Sequence, residues 1–217
     1  MRYLICILLI VFSAHSYGQS DLQELHDIWT DEEQSDSIRL IALDDYIWDG
    51  FLYPDPDSAF NLALVQYVMA KRSKNDEQIG NALSNLGQSQ LFSGNYDQAE
   101  QYAKKNLKFT KEVNDTLGLP RAYNLLGMVY NDRMDFDRSK LYFDSCIVVA
   151  KKQGQLDLLT HVYHNIGVLY NKFSFFDKAI ESYELSLEIE KDRGNMRGVG
   201  MTNKQIANVY FKMGNYD

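Results

Sequence analysis

The sequence predicts an all-α protein, a solenoid of antiparallel helix pairs, and three observations carry that expectation. Positions recur at intervals of forty residues, apolar side chains within each interval follow helical spacing, and short polar or glycine-bearing phrases separate the segments. Aligned on Gly87, the register runs through Gly127, Gly167 and Ala207. One residue upstream stand Leu86, Leu126, Ile166 and Ile206, and three downstream stand Gln90, Tyr130, Tyr170 and Tyr210. A second small residue recurs at Ala99, Ser139 and Ala179, and forty residues before Ala99 comes Ala59. Five units keep this step without an insertion: a divergent 40–79, then 80–119, 120–159, 160–199 and a truncated 200–217. Self-similarity at such a period marks stacked supersecondary units, none of which buries its apolar face alone.

In chain order, residues 1–18 stand apart. "MRYLICILLIVF" places one positive charge before an apolar run of about ten residues, too short to span a bilayer as a helix and matched to the core of a signal peptide. Small residues Ser16 and Gly18 predict cleavage after Gly18, which leaves Gln19 first; Cys6 lies too early for lipid attachment. The mature chain is therefore expected to be exported to the periplasm. Residues 19–39 are read as a lead-in to the first helix. In the first unit Asp55 before Pro56 predicts a capped helix start with proline at the first helical position, and Trp48 and Phe51 are expected in the core.

The later units each read as two amphipathic helices around a tight turn. Tyr123, Leu126 and Tyr130 share one helical face, and Phe136, Ser139, Phe143 and Ile147 repeat the spacing on the next helix. Asn95 and Asp135 are placed to cap the second helix. The small residues mark a close approach of two helix axes, where a bulkier side chain costs ~1–3 kcal/mol by overpacking.

The order aromatic-x-x-Leu-Gly-x-x-Tyr followed by small-x-x-x-aromatic resembles the tetratricopeptide repeat. Here it reads Tyr123, Leu126, Gly127, Tyr130 with Ser139 and Phe143, then Tyr163, Ile166, Gly167, Tyr170 with Ala179 and Tyr183. The resemblance covers about residues 40–217 and is strongest over 80–217. It implies a right-handed superhelical solenoid. The period is forty where thirty-four is common, so helices longer by about a turn are expected. The proline that often closes a repeat is replaced by glycine-bearing crossings such as "QGQLDLL" and "RGNMRGVG".

Composition narrows the function. The formal net charge is −8, with no basic stripe, which disfavours nucleic-acid backbones and anionic membrane surfaces. Loss of the leader would leave Cys146 as the one thiol, unable to form an internal disulfide or a CxxC site. No phosphate-binding loop, nucleophile elbow or zinc-protease motif is present. His161 and His164 are one helical turn apart, but nothing supplies further metal ligands. No catalytic residue, cofactor or metal is expected.

A stack of helical hairpins does offer a concave surface for an extended peptide or a helix. By resemblance, its partner-binding positions include Asn85, Gln88, Asn124, Asn131, His164, Asn165, Asn171, Lys204 and Asn208. The expected partner is a protein or peptide in that groove. The leader together with "IWTDEEQSDSIRLIALDDYIWDGFLYPDPDSAFNLALVQYVMAK" resembles the exported segment of bacterial adenylate/guanylate cyclases that carry such repeats outside the membrane. The alternatives are a sensor histidine kinase segment or a stand-alone periplasmic binding protein. Asp217 falls where a second helix should begin, leaving Ile206, Val209 and Tyr210 thinly covered, so the chain is expected to be a fragment of a longer protein. Any membrane tether or catalytic domain would then lie past residue 217.

Overall fold

The computed structural model describes residues 21–214, so the expected signal peptide and the last three residues lie outside the described residues. The described chain is all-α. Residues 21–30 form α1, followed by α2 (Asp36–Gly50), α3 (Pro56–Ser73), α4 (Asp76–Phe92) and α5 (Tyr96–Glu112). Then come α6 (Leu119–Asp132), α7 (Phe136–Gln153), α8 (Leu156–Lys172), α9 (Phe176–Asp192) and α10 (Met196–Met213). The stretch read as a lead-in holds a helix of its own. Its apolar residues Leu22, Leu25, Ile28 and Trp29 follow helical spacing, and Leu22 lies against Gly50 at the end of α2.

The period of forty is built from two equal halves. Residues with positive φ stand at Lys74, Gly94, Asn114, Met134, Gly154, Ser174, Gly194 and Gly214, one every twenty positions, each ending a helix in the left-handed region. The next residue donates its backbone N–H to the carbonyl five positions back. This bond runs from Asn75, Asn95, Asp115, Asp135, Gln155, Phe175 and Asn195 at 2.8–3.0 Å. It is the Schellman closure, which satisfies helix-end carbonyls that would otherwise be orphaned. Several of these same residues cap the following helix: Asn75 accepts from Gln78 N, Asp135 from Arg138 N and Asn195 from Gly198 N. One residue thus closes one helix and opens the next. Asp55 caps α3 with Pro56 inside its first turn, and Asn95 instead gives its amide to Gln90 Oε1 at 3.0 Å.

Met134 and Ser174 hold φ of 60° and 62° without being glycine, and both are exposed. The left-handed conformation costs an L-residue about 1–2 kcal/mol, partly offset by the greater backbone entropy that glycine loses on folding. Met134→Gly and Ser174→Gly are each expected to stabilise the protein by about 0.5–1 kcal/mol. A urea midpoint that falls for both variants would contradict this account of the turns.

The chain divides between Tyr102 and Ala103 into two compact units. In the first, α2 packs on α3 and α3 on α4 around Leu40, Leu43, Ile47, Ala59 and Ala63, all fully buried. Trp48, expected in the core, is 41% exposed. It follows Ile47 by one residue, and a helix that buries Leu40, Leu43 and Ile47 turns position 48 outward. Phe51 is half-buried against Tyr46, ring centroids 5.0 Å apart.

In the second unit α6 pairs with α7, α8 with α9, and α10 lies on α9. Phe143, Cys146, Val162, Ile166 and Leu169 form one core cluster, and Ala179, Tyr183 and Val209 another. The glycine register marks the close approach within each pair. A Cβ on Gly127 would stand 2.4 Å from Phe143 Cδ1, and one on Gly167 would stand 2.5 Å from Tyr183 Cε1. Ser139, at the matching small position, donates its hydroxyl to the Gly127 carbonyl at 2.8 Å. Cys146 is fully buried, and burial pushes its thiol up to about 12, which keeps it a packing residue.

Candidate partner-binding surface

In the second unit the first helices of successive pairs are α6, α8 and α10. They bring Asn124, His164 and Lys204 to the same register position, forty residues apart. Polar side chains then tie each first helix to the one before. Asn165 Nδ2 donates to Asn124 Oδ1 at 3.1 Å, and Lys172 Nζ donates to the Asn131 carbonyl at 2.9 Å and to Asp132 Oδ1 at 3.1 Å. Lys212 Nζ donates to Asn171 Oδ1 at 3.0 Å. Donor follows acceptor by forty-one positions in the Asn165, Lys212 and first Lys172 bonds, one repeat plus one residue. Asn124, Asn165 and Asn171 are half-buried and keep part of their amides outward, whereas Asn131 is only 7% exposed. Lys204 and Asn208 are exposed and form no hydrogen bond among the described residues.

His164 stands edge-on to Tyr183, ring centroids 5.3 Å apart. Burial, and then the neighbouring His161, hold its imidazole below the ordinary value of 6.5. At neutral pH it is therefore an uncharged donor–acceptor. The folded pKa lies below the unfolded one, so the unfolded chain binds the proton first as pH falls through 6.5. Stability is expected to decline over that window and to be regained as pH rises. His164→Gln should flatten the decline. An unchanged slope in urea midpoints between pH 7 and 5 would remove His164 as a cause.

The remaining positions of the expected groove lie in the first unit, inside it. Asn85 is 1% exposed and donates to Asp44 Oδ1 at 2.7 Å and to Gln66 Oε1 at 3.0 Å. Gln66, fully buried, donates to Asp44 Oδ1 at 3.0 Å and to Gln78 Oε1 at 3.1 Å, and Asn81 donates to Asp44 Oδ2 at 3.3 Å. Gln88 is 7% exposed and bonds Ser84 Oγ at 3.2 Å. Asn85 is thus an interior connector. Asp44 and Gln66, absent from the sequence-derived set, are what hold it. Their signal was the same spacing, because Asp44 precedes Asn85 by forty-one residues.

Among the described residues no group of three or more His, Cys, Asp or Glu side chains is arranged to hold a metal ion, and no helix is long and apolar enough to cross a membrane. Residues 160–193, which hold most of α8 and all of α9, match the family model of the tetratricopeptide repeat. Over those residues the chain carries a tetratricopeptide repeat. Over 93% of its length it superposes on BtubC from P. vanneervenii with a TM-score of 0.66 and 18% identity, covering 83% of that chain. A signal transduction ATPase with numerous domains from Pyrococcus horikoshii, described as carrying a tetratricopeptide repeat sensor, superposes on 94% of this chain with a TM-score of 0.61 and 12% identity. This chain spans 32% of that one. Aspartyl phosphate phosphatase F from Bacillus subtilis superposes on 87% of it with a TM-score of 0.56 and 15% identity, and is itself 53% covered. No curated protein sequence matches the chain. At these identities the likeness is one of fold. Stacked helical hairpins of this kind present the extended surface on which repeat proteins of this architecture bind other proteins.

Proposed function

We propose that the tetratricopeptide repeats of the second unit bind a protein or peptide partner along α6, α8 and α10, and that the chain is the exported, sensory part of a longer signalling protein. The observation that carries the first statement is the stripe Asn124, His164, Lys204, joined by Asn165, Asn171 and Asn208. The first three share one register position on successive first helices, the others stand on the same helices at neighbouring positions, and exposure increases toward α10. Amides and a neutral imidazole both donate and accept, which suits the backbone of an extended segment. Export is supported by the charge and apolar run of residues 1–12. The signalling context is supported by the sequence resemblance to repeat-bearing cyclases and by the Pyrococcus neighbour, whose own repeats are described as a sensor.

Photo-crosslinking residues placed at 164, 204 and 208 in cells are expected to give a discrete adduct. The same residue at 148 and 188, exposed positions of α7 and α9, is expected to give none. Equal labelling from both sets would end the groove reading. Export is checked by fusing residues 1–40 to leaderless alkaline phosphatase, which is active only outside the cytoplasm. An inactive fusion would end that part while leaving the binding surface standing.

A further inference from the structure

The first unit contains a cavity that the repeat architecture does not use. His26 and Trp29 of α1, Tyr46 of α2 and Phe51 just beyond it line an open space of about 320 Å³, together with Ser58, Asn61 and Leu62 from the start of α3. The rings meet at steep angles. His26 stands at 79° to Trp29 and 62° to Tyr46, both with centroids 5.7 Å apart, and Tyr46 stands at 57° to Phe51. Aromatic faces carry the negative end of the ring quadrupole, so a wall of rings turned different ways offers attractive surface to a cation.

Negative charge is concentrated in the segment that supplies this cavity's lining. Residues 21–62 contain twelve Asp and Glu against one basic residue, Arg39, a net of −11, whereas residues 63–217 contain eighteen acids against twenty bases. Arg39 does not neutralise the region. Its Nε donates to the Trp29 carbonyl at 3.0 Å and its guanidinium lies 3.7 Å from Asp36. Asp45 and Asp49, flanking Tyr46 on α2, form no ion pair among the described residues. Burial, then Asp44 and Asp49, push the Asp45 carboxyl above its ordinary range, as expected where carboxylates crowd without a counter-ion.

The lining itself holds no carboxylate. A primary ammonium or a guanidinium would bring three to five N–H donors to a wall whose acceptors are the neutral side chains of His26, Tyr46, Ser58 and Asn61, with no carboxylate to meet the charge, and each unmet donor weakens binding. A quaternary ammonium has no donor to satisfy, presents methyl groups to the rings, and draws on the surrounding field at longer range. We propose that the cavity formed by α1, α2 and the start of α3 is a binding site for a quaternary ammonium head group.

Trp29 provides the readout. The chain has two tryptophans, and Trp48→Phe leaves Trp29 as the sole indole reporter. Titrating the full chain carrying this change with choline is expected to give a saturable change in Trp29 fluorescence. 3,3-Dimethyl-1-butanol, the uncharged shape equivalent, should bind at least tenfold more weakly. Tyr46→Leu should weaken choline tenfold or more. Asp45→Asn with Asp49→Asn, both at exposed positions and compatible with folding, should weaken it severalfold and reduce its salt dependence. Phosphatidylcholine vesicles in a parallel sedimentation assay separate a lipid head group from a soluble ligand, and either source keeps the head-group assignment. Absence of saturation by both choline and vesicles overturns the proposal. So does equal binding of the neutral alcohol, which would make the cavity merely apolar, or choline binding unchanged in the Asp45/Asp49 double variant.

Discussion

Phe143→Ala is expected to destabilise the second unit by about 3–5 kcal/mol, seen as a large fall in the urea midpoint. Phe143 is fully buried and packs with Cys146, Val162, Ile166 and Leu169. Its ring also lies directly on Gly127, which has no side chain to move into the vacated space. The complementary change has the same origin. Gly127→Ala would push a methyl to 2.4 Å from the ring and is expected to cost about 1–3 kcal/mol. Phe143→Leu in the Gly127→Ala background should recover part of that loss, so the double-mutant cycle is strongly non-additive. A Gly127→Ala variant as stable as the parent would show that the two helices can separate without cost, and the close-approach account would fail.

The second large effect belongs to the first unit. Asp44→Ala removes the acceptor shared by Gln66, Asn81 and Asn85. Gln66 and Asn85 are almost wholly buried, so their amides cannot turn to water. Leaving them short of a partner is expected to cost about 2–4 kcal/mol. Asp44→Asn keeps the shape and one acceptor oxygen but sets an amide N–H2 against other amide donors, and should fall between the parent and Asp44→Ala. If Asp44→Ala alters the urea midpoint no more than an ordinary surface change, the network is incidental to stability.

Much of this fold was readable because glycine and aromatic residues keep time in the sequence. The recurring small residues at 127 and 167 signal close approaches of helix axes, and the structure sets each against an aromatic ring, Phe143 and Tyr183. The half-beat of twenty was not readable. Four of its eight turn positions are Lys74, Asn114, Met134 and Ser174, whose identities do not announce a left-handed backbone. Trp48 was misplaced because its bulk suggested burial, while the helical phase of Leu40, Leu43 and Ile47 decided its direction. Residue type alone also pointed the asparagines outward. Asn85 turned inward because Asp44, forty-one residues earlier, and Gln66, nineteen earlier, accept from its amide, and neither pairing shows when a residue is considered by type alone. Helix α1, which brings His26 and Trp29 to the aromatic cavity, carried no repeat signal, since it stands before the register begins, and the rest of the lining lies in the divergent first unit.

The even spacing of the left-handed turns sets how this architecture can change in length. From α4 to α10 every helix except α6 begins two residues after the joint before it, so a segment of forty residues can be excised or duplicated between equivalent joints with the remaining neighbours meeting as they did. A change of thirty-six or forty-four would turn the following helix by part of a revolution and set polar flanks against the core. Evolution and engineering alike can therefore lengthen the molecule only in whole quanta, as links are added to a chain.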